Sequence, residues 1–286
     1  MQHAEPLVTV VIPTLDPQRV ESLVARCSEE HIPCVVVHPG PALAWQLPGV
    51  RSLSTATRVS PAAARNMGAQ TISTPVVCFV DDDVDVSAQT IALLAHTCAH
   101  ESVVAAVPWL TDAAADGYWR RCMHRVMQAG HMRTRVRNTD NAYTSMCLAV
   151  RRAAFWQVGG FSLAYDGPAG EDTALVQALA QLGEVSRVAG ATMHHDPQPD
   201  GWWPASRRLF RYGRAWPRVA PQSRGARWAR WCRTPWRRAV AAALCWWIAA
   251  ADVCVLGEPR YRLGGWWLRW CWYLGVIAAA PDTEQR

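Results

Sequence analysis

The sequence predicts an α/β fold in which helices flank a mixed, mostly parallel sheet, followed by a helical C-terminal appendage. Short β-branched segments of strand length alternate with helical patterns over residues 7–107. Beyond about residue 202 tryptophan and arginine become interleaved. With 286 residues, of which 50% are hydrophobic and 18% charged, the chain can bury a substantial core and does not have the composition of a disordered polymer.

The first strand is expected at residues 7–12, where the run LVTVVI ends at the turn residues Pro13 and Asp16. A crossover helix over residues 18–27 and a second strand over residues 33–37 follow. Apolar runs without alternation are typical of parallel strands that are buried on both faces. These segments therefore predict the start of a parallel sheet.

The next elements carry explicit start signals. Ser60 is a suitable N-cap and Pro61 suits the first helical position, so a helix is expected to begin there. A strand is expected at residues 76–80, and Ser87 is expected to cap another helix that leads to a strand at residues 103–107. Strand and helix thus continue to alternate.

The following region is less regular but retains helical and strand patterns. We expect a helix over residues 118–129, a strand over residues 146–150 and a tight turn at residues 159–161. An amphipathic helix over residues 173–182 and a strand over residues 185–189 complete the predicted sheet region.

Charge and cysteine content narrow the class of protein. The formal charge is +6, and every basic residue is arginine, which either suits phosphate binding or reflects coding bias. The ten cysteines lie mostly in apolar segments and form no CxxC pair, so we expect free, buried thiols in a reducing compartment. Since the N-terminal segment does not read as a secretory signal, a cytoplasmic location is expected.

An acidic cluster follows the strand at residues 76–80. Asp81, Asp82 and Asp83 stand at its carboxyl end, where open α/β sheets bind ligands. Hard cations such as Mg²⁺ or Mn²⁺ take carboxylate ligands and bridge them to phosphates. The alternative is a solvated acidic turn that leads into a capped helix.

Two further groups accompany this cluster. Glu171 and Asp172 begin the helix predicted next to them, where the macrodipole stabilises an ionised carboxylate that can accept a proton. Asp172 could equally be a plain helix cap. His194 and His195 follow the strand at residues 185–189 and either complete a cation shell or lie at the surface.

Several segments, taken in order, resemble the family 2 glycosyltransferases of the GT-A fold, many of which are bacterial. They are VTVVIPTLD, SPAAARNMGA, CFVDDDV, RRAAFWQVGGF with GEDTALVQAL, and RRLFRYGRAW. The resemblance implies a Rossmann-like GT-A domain over residues 1–216, with residues 217–286 as a helical region that is membrane-associated or packed on the domain. It also implies an enzyme that moves a sugar from a nucleotide-diphosphate donor to an acceptor hydroxyl.

The resemblance further implies roles on the donor side. Asp81 and Asp83 match the DxD pair, with Asp83 as the expected direct ligand of Mn²⁺ or Mg²⁺ and Asp82 between them. Arg65 is expected along the nucleotide or diphosphate. One of His194 and His195 would approach the diphosphate or the metal.

On the acceptor side, Asp172 matches the general base and Glu171 would support the acceptor or its loop. A single displacement would invert the anomeric centre, while retention would need another arrangement. The acceptor is expected to be a glycan, a lipid-linked molecule or a small molecule.

The chain departs from the family pattern after its second strand. Members usually carry an Asp-Asp-Gly-Ser type motif there that contacts the base, whereas this chain has His38-Pro39-Gly40. Three explanations stay open: a nucleotide other than a uridine one is used, Pro13, Thr14 and Asp16 hold the base with backbone groups, or donor binding has been lost.

The C-terminal region suggests a membrane surface. The apolar run at residues 239–251 is shorter than the ~20 residues that cross a bilayer. Its tryptophans and arginines fit helices in the headgroup region of an anionic membrane, at the inner face of the cell membrane, or else helices packed on the catalytic domain. The tryptophans concerned are Trp246, Trp247, Trp266, Trp267, Trp270 and Trp272.

Two other classes of function remain open. The absent base motif permits a non-catalytic GT-A-like binding module, although the two acidic motifs favour an enzyme. The alternation of arginine and tryptophan over residues 224–238 could bind nucleic acid, but the acidic sheet edge argues against it, and no nucleic-acid partner is expected.

Overall fold

The computed structural model describes residues 5–43, 47–111, 117–133, 145–164, 170–196, 201–219, 224–253 and 259–279. The chain clusters into two compact units. Unit 1 comprises Met1–Ala113, Tyr143–Asp166 and Glu171–Asp196, and unit 2 comprises Ala114–Ala142, Gly167–Gly170 and Pro197–Arg286. The domain limits expected from the sequence, 1–216 and 217–286, stay a prediction.

Eight strands form one mixed sheet in the described part of unit 1. They are β1 (Val8–Pro13), β2 (Cys34–Pro39), β3 (Val50–Thr55), β4 (Val76–Val80), β5 (Val84–Val86), β6 (Val103–Leu110), β7 (Cys147–Arg151) and β8 (Glu184–His195). Their order is β3-β2-β1-β4-β7-β6-β8-β5. The β3-β2, β2-β1, β1-β4 and β6-β8 pairs are parallel, and the other pairs are antiparallel. The predicted mixed, mostly parallel sheet is confirmed.

The helices alternate with these strands in unit 1 and dominate unit 2. In chain order they are α1 (Glu21–Glu29), α2 (Pro61–Gln70), α3 (Ala88–Ala99), α4 (Tyr118–Arg133), α5 (Arg152–Gln157), α6 (Glu171–Leu179), α7 (Trp202–Val219), α8 (Arg224–Trp231), α9 (Pro235–Val253) and α10 (Arg262–Ala278). Short 3-10 turns cover Pro17–Val20 and Pro259–Tyr261. The predicted C-terminal helical region is present.

Side-chain caps begin two of the helices where the sequence predicts them. Ser60 Oγ accepts a hydrogen bond from the Ala63 amide at 3.2 Å, and Ser87 Oγ accepts one from the Thr90 amide at 3.0 Å. Each bond satisfies an amide that has no partner inside its own helix. Both predicted helix starts are therefore confirmed.

Other boundaries differ from the sequence prediction. The strand expected at residues 185–189 is longer, so His194 and His195 lie on β8 itself rather than after it. Pairing with the short strand β5 extends β8 to this point. The sequence does not reveal β3 or β5, because β3 is a partly exposed edge strand without an apolar run and β5 has only three residues.

The core of unit 1 is apolar, and its cysteines are free thiols. Phe79 on β4 packs against Phe155 and Phe161, with ring centroids 5.1 and 5.0 Å away. Every cysteine that the structure describes is buried and free, as expected from its apolar surroundings. The core therefore depends on side-chain packing rather than on disulfides.

Helix α10 is the centre of unit 2 and packs against α4, α7, α8 and α9. Glycines permit its close approach to α7: a Cβ on Gly275 would overlap the Phe210 carbonyl oxygen, and one on Gly213 would overlap the Trp272 carbonyl oxygen. Both obstacles are backbone atoms, which cannot rotate away. The two helices can be this close only with glycine at these positions.

Most tryptophans that the sequence analysis assigned to a membrane surface also pack inside unit 2. The Trp266, Trp267 and Trp270 indoles donate hydrogen bonds to the Trp246 carbonyl, Ser206 Oγ and the Ala242 carbonyl at 2.8, 2.7 and 3.2 Å. Trp247, by contrast, is 73% exposed. The structure thus separates one exposed indole from a packed tryptophan cluster.

A polar contact joins α9 to α10. Asp252 Oδ2 accepts hydrogen bonds from Arg269 Nε at 2.9 Å and from the Tyr273 hydroxyl at 2.8 Å. Burial raises the pKa of Tyr273 to about 12, so the phenol stays protonated as a donor. The charged residues that interrupt the two apolar runs are thus each other's partners. Across the described ranges, every helix is too short or too polar to cross a membrane.

Replacing Gly275 by alanine should destabilise unit 2, because the added methyl group meets backbone atoms of α7. We expect a loss of about 1–3 kcal/mol in the free energy of unfolding, measured by urea denaturation. Arg211→Ala on the exposed side of α7 is the control and should stay within about 0.5 kcal/mol of the parent. Equal stability of the Gly275→Ala variant would contradict this packing.

Candidate active site

A cavity of about 310 Å³ opens at the carboxyl ends of β1, β2, β3 and β4. Parallel strands bring their carboxyl ends to one edge of the sheet, which is where open α/β sheets bind ligands. Helix α2 contributes one wall. The lining residues are Pro13, Thr14, Leu15, Asp16, Arg19, Val37, His38, Pro39, Thr55, Arg58, Val59, Pro61, Ala64, Arg65, Asp81, Asp82 and Asp83.

Arg65 joins the two acidic motifs at this edge. Its side chain, on α2, is almost fully buried and donates from Nη2 to Asp81 Oδ1 at 2.5 Å and from Nη1 to Glu171 Oε1 at 3.4 Å. The guanidinium also lies over the Phe161 ring, 5.2 Å from its centroid. The sequence-predicted residues Arg65, Asp81 and Glu171 are therefore brought together in one buried ion cluster.

The electrostatics of this cluster favour the charge on Arg65 and disfavour the charges on Asp81 and Glu171. Burial raises the pKa of Asp81 and of Glu171, and the neighbouring carboxylates raise both further, while Arg65 opposes the shift. Burial also disfavours the charge on Arg65, but Asp81, Glu171 and Asp172 outweigh it and raise the pKa of the guanidinium. A buried cation that faces several carboxylates stays charged. Arg65 is therefore a permanent positive centre among the acidic residues.

The next residue of α2 holds the turn that precedes α6. Asn66 Nδ2 donates to the Phe161 carbonyl at 2.8 Å, and its Oδ1 accepts from the Phe161 amide at 2.9 Å. Gly160, the residue before Phe161, has a positive φ of +71°. A Cβ at this position would be only 2.8 Å from Asn66 Oδ1, so the contact with Asn66 favours glycine here. Arg65 and Asn66 thus hold the turn at Phe161 against helix α2.

Asp82 is held by the segment that follows β1. Thr14 Oγ1 donates to Asp82 Oδ2 at 2.7 Å, and Arg19 Nη1 lies 3.6 Å from Asp82 Oδ1. Asp16, also predicted in this segment, accepts from the Gln18 amide at 3.2 Å and caps the short turn that carries Arg19. Asp82 therefore connects β4 to the segment that follows β1, and Asp82, Thr14 and Arg19 all line the cavity.

The two histidines on β8 have different surroundings. His195 is buried, and its Nε2 lies 3.3 Å from Asp83 Oδ2. His194 is exposed, and its Nδ1 lies 2.7 Å from Thr111 Oγ1. Successive side chains of a strand point to opposite faces, so one histidine alone can meet the acidic cluster. The structure brings His195, and not His194, to Asp83.

Asp172 stands beside the ion cluster in the first turn of α6. Its side chain is partly buried, and Oδ1 accepts a hydrogen bond from the Thr173 amide at 2.7 Å. Its charge contributes to the pKa shifts of Arg65 and Asp81. Asp172 thus lies near the acidic sheet edge, and among the residues that the structure describes no arginine forms an ion pair with it.

His38, which stands where the family pattern has an acidic motif, is engaged with its neighbours. Its Nδ1 donates to the Pro39 carbonyl at 3.0 Å, because a carbonyl oxygen can only accept, and its Nε2 lies 2.7 Å from Ser52 Oγ. The buried ring has both nitrogens paired. These bonds occupy the polar atoms of the His38 side chain, and His38, Pro39 and Gly40 at this strand end include no acidic side chain that could contact a ligand.

The acidic residues fit a hard divalent cation by type, although they do not form a complete cage. Asp81, Asp82 and Asp83 all line the cavity. Within the described ranges no group of three or more His, Cys, Asp or Glu side chains is placed to hold a metal ion. Mg²⁺ commonly needs only one or two carboxylates together with waters and substrate phosphates. The donor set is thus suited to a metal that arrives with a phosphorylated ligand.

Three ionisable cavity residues, Arg19, Arg58 and His38, were not among the site residues predicted from the sequence. Arg19 and Arg58 stand in polar segments without a motif, so only the folding of these segments against the sheet edge reveals them. His38 carried a signal, because it replaces the expected acidic residue. The residue type alone does not show that the ring is buried with both nitrogens hydrogen-bonded.

Comparison with known proteins identifies the family of the chain. Residues 17–159, half of the chain, match the model of the glycosyl transferase family 2, and the chain belongs to this family. It is therefore a glycosyltransferase, as the sequence predicted. A comparison with curated protein sequences found no match.

Solved structures similar to this chain include the mannosyltransferase PcManGT from Pyrobaculum calidifontis in complex with GDP-Man and Mn²⁺. The identity is 15%, the match covers 98% of this chain and 89% of that chain, and the TM-score is 0.61, which confirms the predicted fold. Glucosyl-3-phosphoglycerate synthase from Mycobacterium tuberculosis, solved with Mn²⁺, UDP and glucosyl-3-phosphoglycerate, is 16% identical over 68% of this chain and 74% of that chain, with a TM-score of 0.47.

Arg65→Met should destabilise unit 1 strongly, because it leaves the buried carboxyl group of Glu171 and the partly buried one of Asp81 without their cation. Breaking such a buried pair costs about 3–5 kcal/mol, so we expect a large decrease in the urea midpoint. Arg58→Met, which changes an exposed arginine of the same cavity, is the matched control and should have little effect. Similar stabilities for the two variants would show that the ion cluster contributes nothing.

Proposed function

We propose that the chain transfers a sugar from a nucleoside-diphosphate donor to an acceptor hydroxyl in a cation-dependent reaction. The observation that carries the proposal is the Arg65 guanidinium, which contacts Asp81 of the first acidic motif and Glu171 of the second. Donor-side and acceptor-side carboxylates therefore lie within one cluster beside the cavity. A binding module has no evident need for this convergence.

Asp83 and Asp81 would hold the cation, together with the diphosphate of the donor. A bound Mn²⁺ or Mg²⁺ would neutralise the charge that develops on the departing diphosphate. His195, which contacts Asp83, would orient that carboxylate as an outer partner of the site. The Mn²⁺ and GDP-Man in the similar mannosyltransferase structure support this assignment.

Asp172 would accept the proton of the attacking hydroxyl. It begins α6 next to the ion cluster, and the helix N-terminus favours its ionised form. Glu171 is less suited to this role, because it is buried against Arg65 and burial raises its pKa. Glu171 would therefore position α6, while Asp172 acts as the base. One displacement with this base inverts the anomeric centre.

The donor pocket would bind its base without an acidic contact from β2. The ring nitrogens of His38 are both paired, whereas Pro13, Thr14 and Asp16 also line the cavity and would supply polar groups to the base. Arg19 and Arg58 bring positive charge to the same cavity and would face the phosphates. This arrangement supports a nucleotide-sugar donor whose base is contacted by backbone groups.

The acceptor class stays a prediction among a glycan, a lipid-linked molecule and a small molecule. A cytoplasmic location, at the inner face of the cell membrane, is the expectation that agrees with reduced cysteines and a basic, tryptophan-rich unit 2.

Asp172→Asn should lower the transfer rate by about 10²–10⁴-fold, because general-base assistance is worth that much. Donor affinity, measured by calorimetry, should stay unchanged, since the amide keeps the shape of the side chain. Glu184→Gln, at an exposed position of β8, is the control and should retain activity. A fully active Asp172→Asn protein would refute the assignment of the base.

A screen of nucleotide-sugars by thermal shift, with and without Mn²⁺, would identify the donor through the stabilisation that binding confers. Asp83→Asn should remove the Mn²⁺-dependent part of this shift, because it removes the expected direct ligand. Asp85→Asn, at an exposed carboxylate of the same segment that pairs with Arg26, should keep it. Donor binding that never depends on Mn²⁺ would exclude the cation-dependent reaction, and binding without turnover would favour a non-catalytic module.

A further inference from the structure

The outer face of α9 exposes a continuous apolar stripe. Trp236, Val240, Leu244 and Ile248 follow one another at intervals of four, and Trp247 stands three positions after Leu244, which places all five on one side of the helix. All five are exposed, Trp236 by 60% and Trp247 by 73% of their surface. Every exposed side chain over residues 239–251 is apolar. Such a contiguous apolar surface marks an interaction site.

The opposite face of α9 is already engaged in the fold. Ala241, Cys245 and Ala249 are buried, and Cys245 belongs to the cluster that includes Ile277 of α10. The Trp270 indole of α10 also donates to the Ala242 carbonyl at 3.2 Å. Packing against α10 therefore holds α9 in place through this inner face, and the outer stripe is left available for a partner.

The stripe begins at an arginine and tryptophan cluster. Trp236 packs against Trp231 with ring centroids 6.1 Å apart, and the Arg237 guanidinium lies 5.3 and 5.5 Å from the two rings. Arg227 and Arg233 are exposed on α8 and in the turn before α9. Indole rings favour the headgroup level of a bilayer, and guanidinium groups pair with phosphates in two-pronged fashion.

We propose that the outer face of α9, with the Trp231, Trp236 and Arg237 cluster at its start, docks on an anionic lipid bilayer. The apolar stripe would lie in the headgroup and acyl boundary with the helix parallel to the surface. The arginines would contact lipid phosphates, in keeping with the net charge of +6. This inference goes beyond the proposed transfer reaction and does not depend on it.

Two observations favour a bilayer surface over other occupants. A spanning orientation is disfavoured, because Asp252 near the end of α9 is tied to Arg269 and Tyr273 of α10. A second copy of the chain would present the same arginine-rich cluster, whereas an anionic surface complements it. The charge of the surface thus selects lipid phosphates over self-association.

The test is flotation of the full chain, without donor, on phosphatidylcholine vesicles with and without phosphatidylglycerol. We expect binding that requires phosphatidylglycerol, and a loss of about tenfold or more in the Leu244→Gln, Trp247→Gln double variant, whose apolar contact area is removed. Trp203→Gln on α7, which changes an indole that is 60% exposed, is the matched control and should bind as the parent does. Circular dichroism and thermal unfolding verify that both variants fold.

Three outcomes would overturn the proposal. They are an unchanged affinity of the double variant, an equal loss in the Trp203→Gln protein, and a parent chain that does not bind these vesicles. Light scattering tests whether a second copy of the chain occupies this face instead. If the parent is a dimer, the double variant is a monomer and vesicle binding is unchanged, the face is a dimer interface. Since no donor is present, each of these outcomes leaves the proposed transfer reaction intact.

Discussion

The acidic edge of the sheet can exist because one buried guanidinium lies among its carboxylates. Arg65 contacts Asp81 and Glu171 and is influenced by Asp172, so the charges of two sequence-distant motifs are balanced at one point. Carboxylates buried next to one another would otherwise take up protons or draw in water. The position of α2, which carries Arg65, is therefore coupled to the positions of β4 and α6.

The three consecutive aspartates have different contacts. Asp81 is neutralised by Arg65, Asp82 is held by Thr14 and Arg19, and Asp83 contacts a histidine. The carboxylates next to one another in sequence are thus restrained by three separate elements of the fold. A cation that arrives with a diphosphate would find oriented ligands rather than a flexible acidic turn.

The described part of unit 2 is stabilised by close helix packing rather than by a buried ion cluster. Its helices approach closely through glycine and fill their interfaces with indole rings, whose N–H groups find carbonyl or hydroxyl partners inside the unit. That packing satisfies the polar atoms of the large aromatic side chains. Tryptophan abundance alone therefore does not indicate a lipid-facing surface. The exposed fraction of the side chain distinguishes Trp247 from the packed Trp246 beside it.

Local periodicity, turn chemistry and motif order in the sequence are enough to predict the alternation of strands and helices, the caps at Ser60 and Ser87, the free cysteines and the family. The sequence could not determine the edge strand β3, which has no apolar signature. The folded chain was needed to show that Arg65 faces carboxylates and that His195 rather than His194 contacts Asp83. Side-chain partners depend on strand register and on helix orientation, and those are set by packing between segments far apart in the chain.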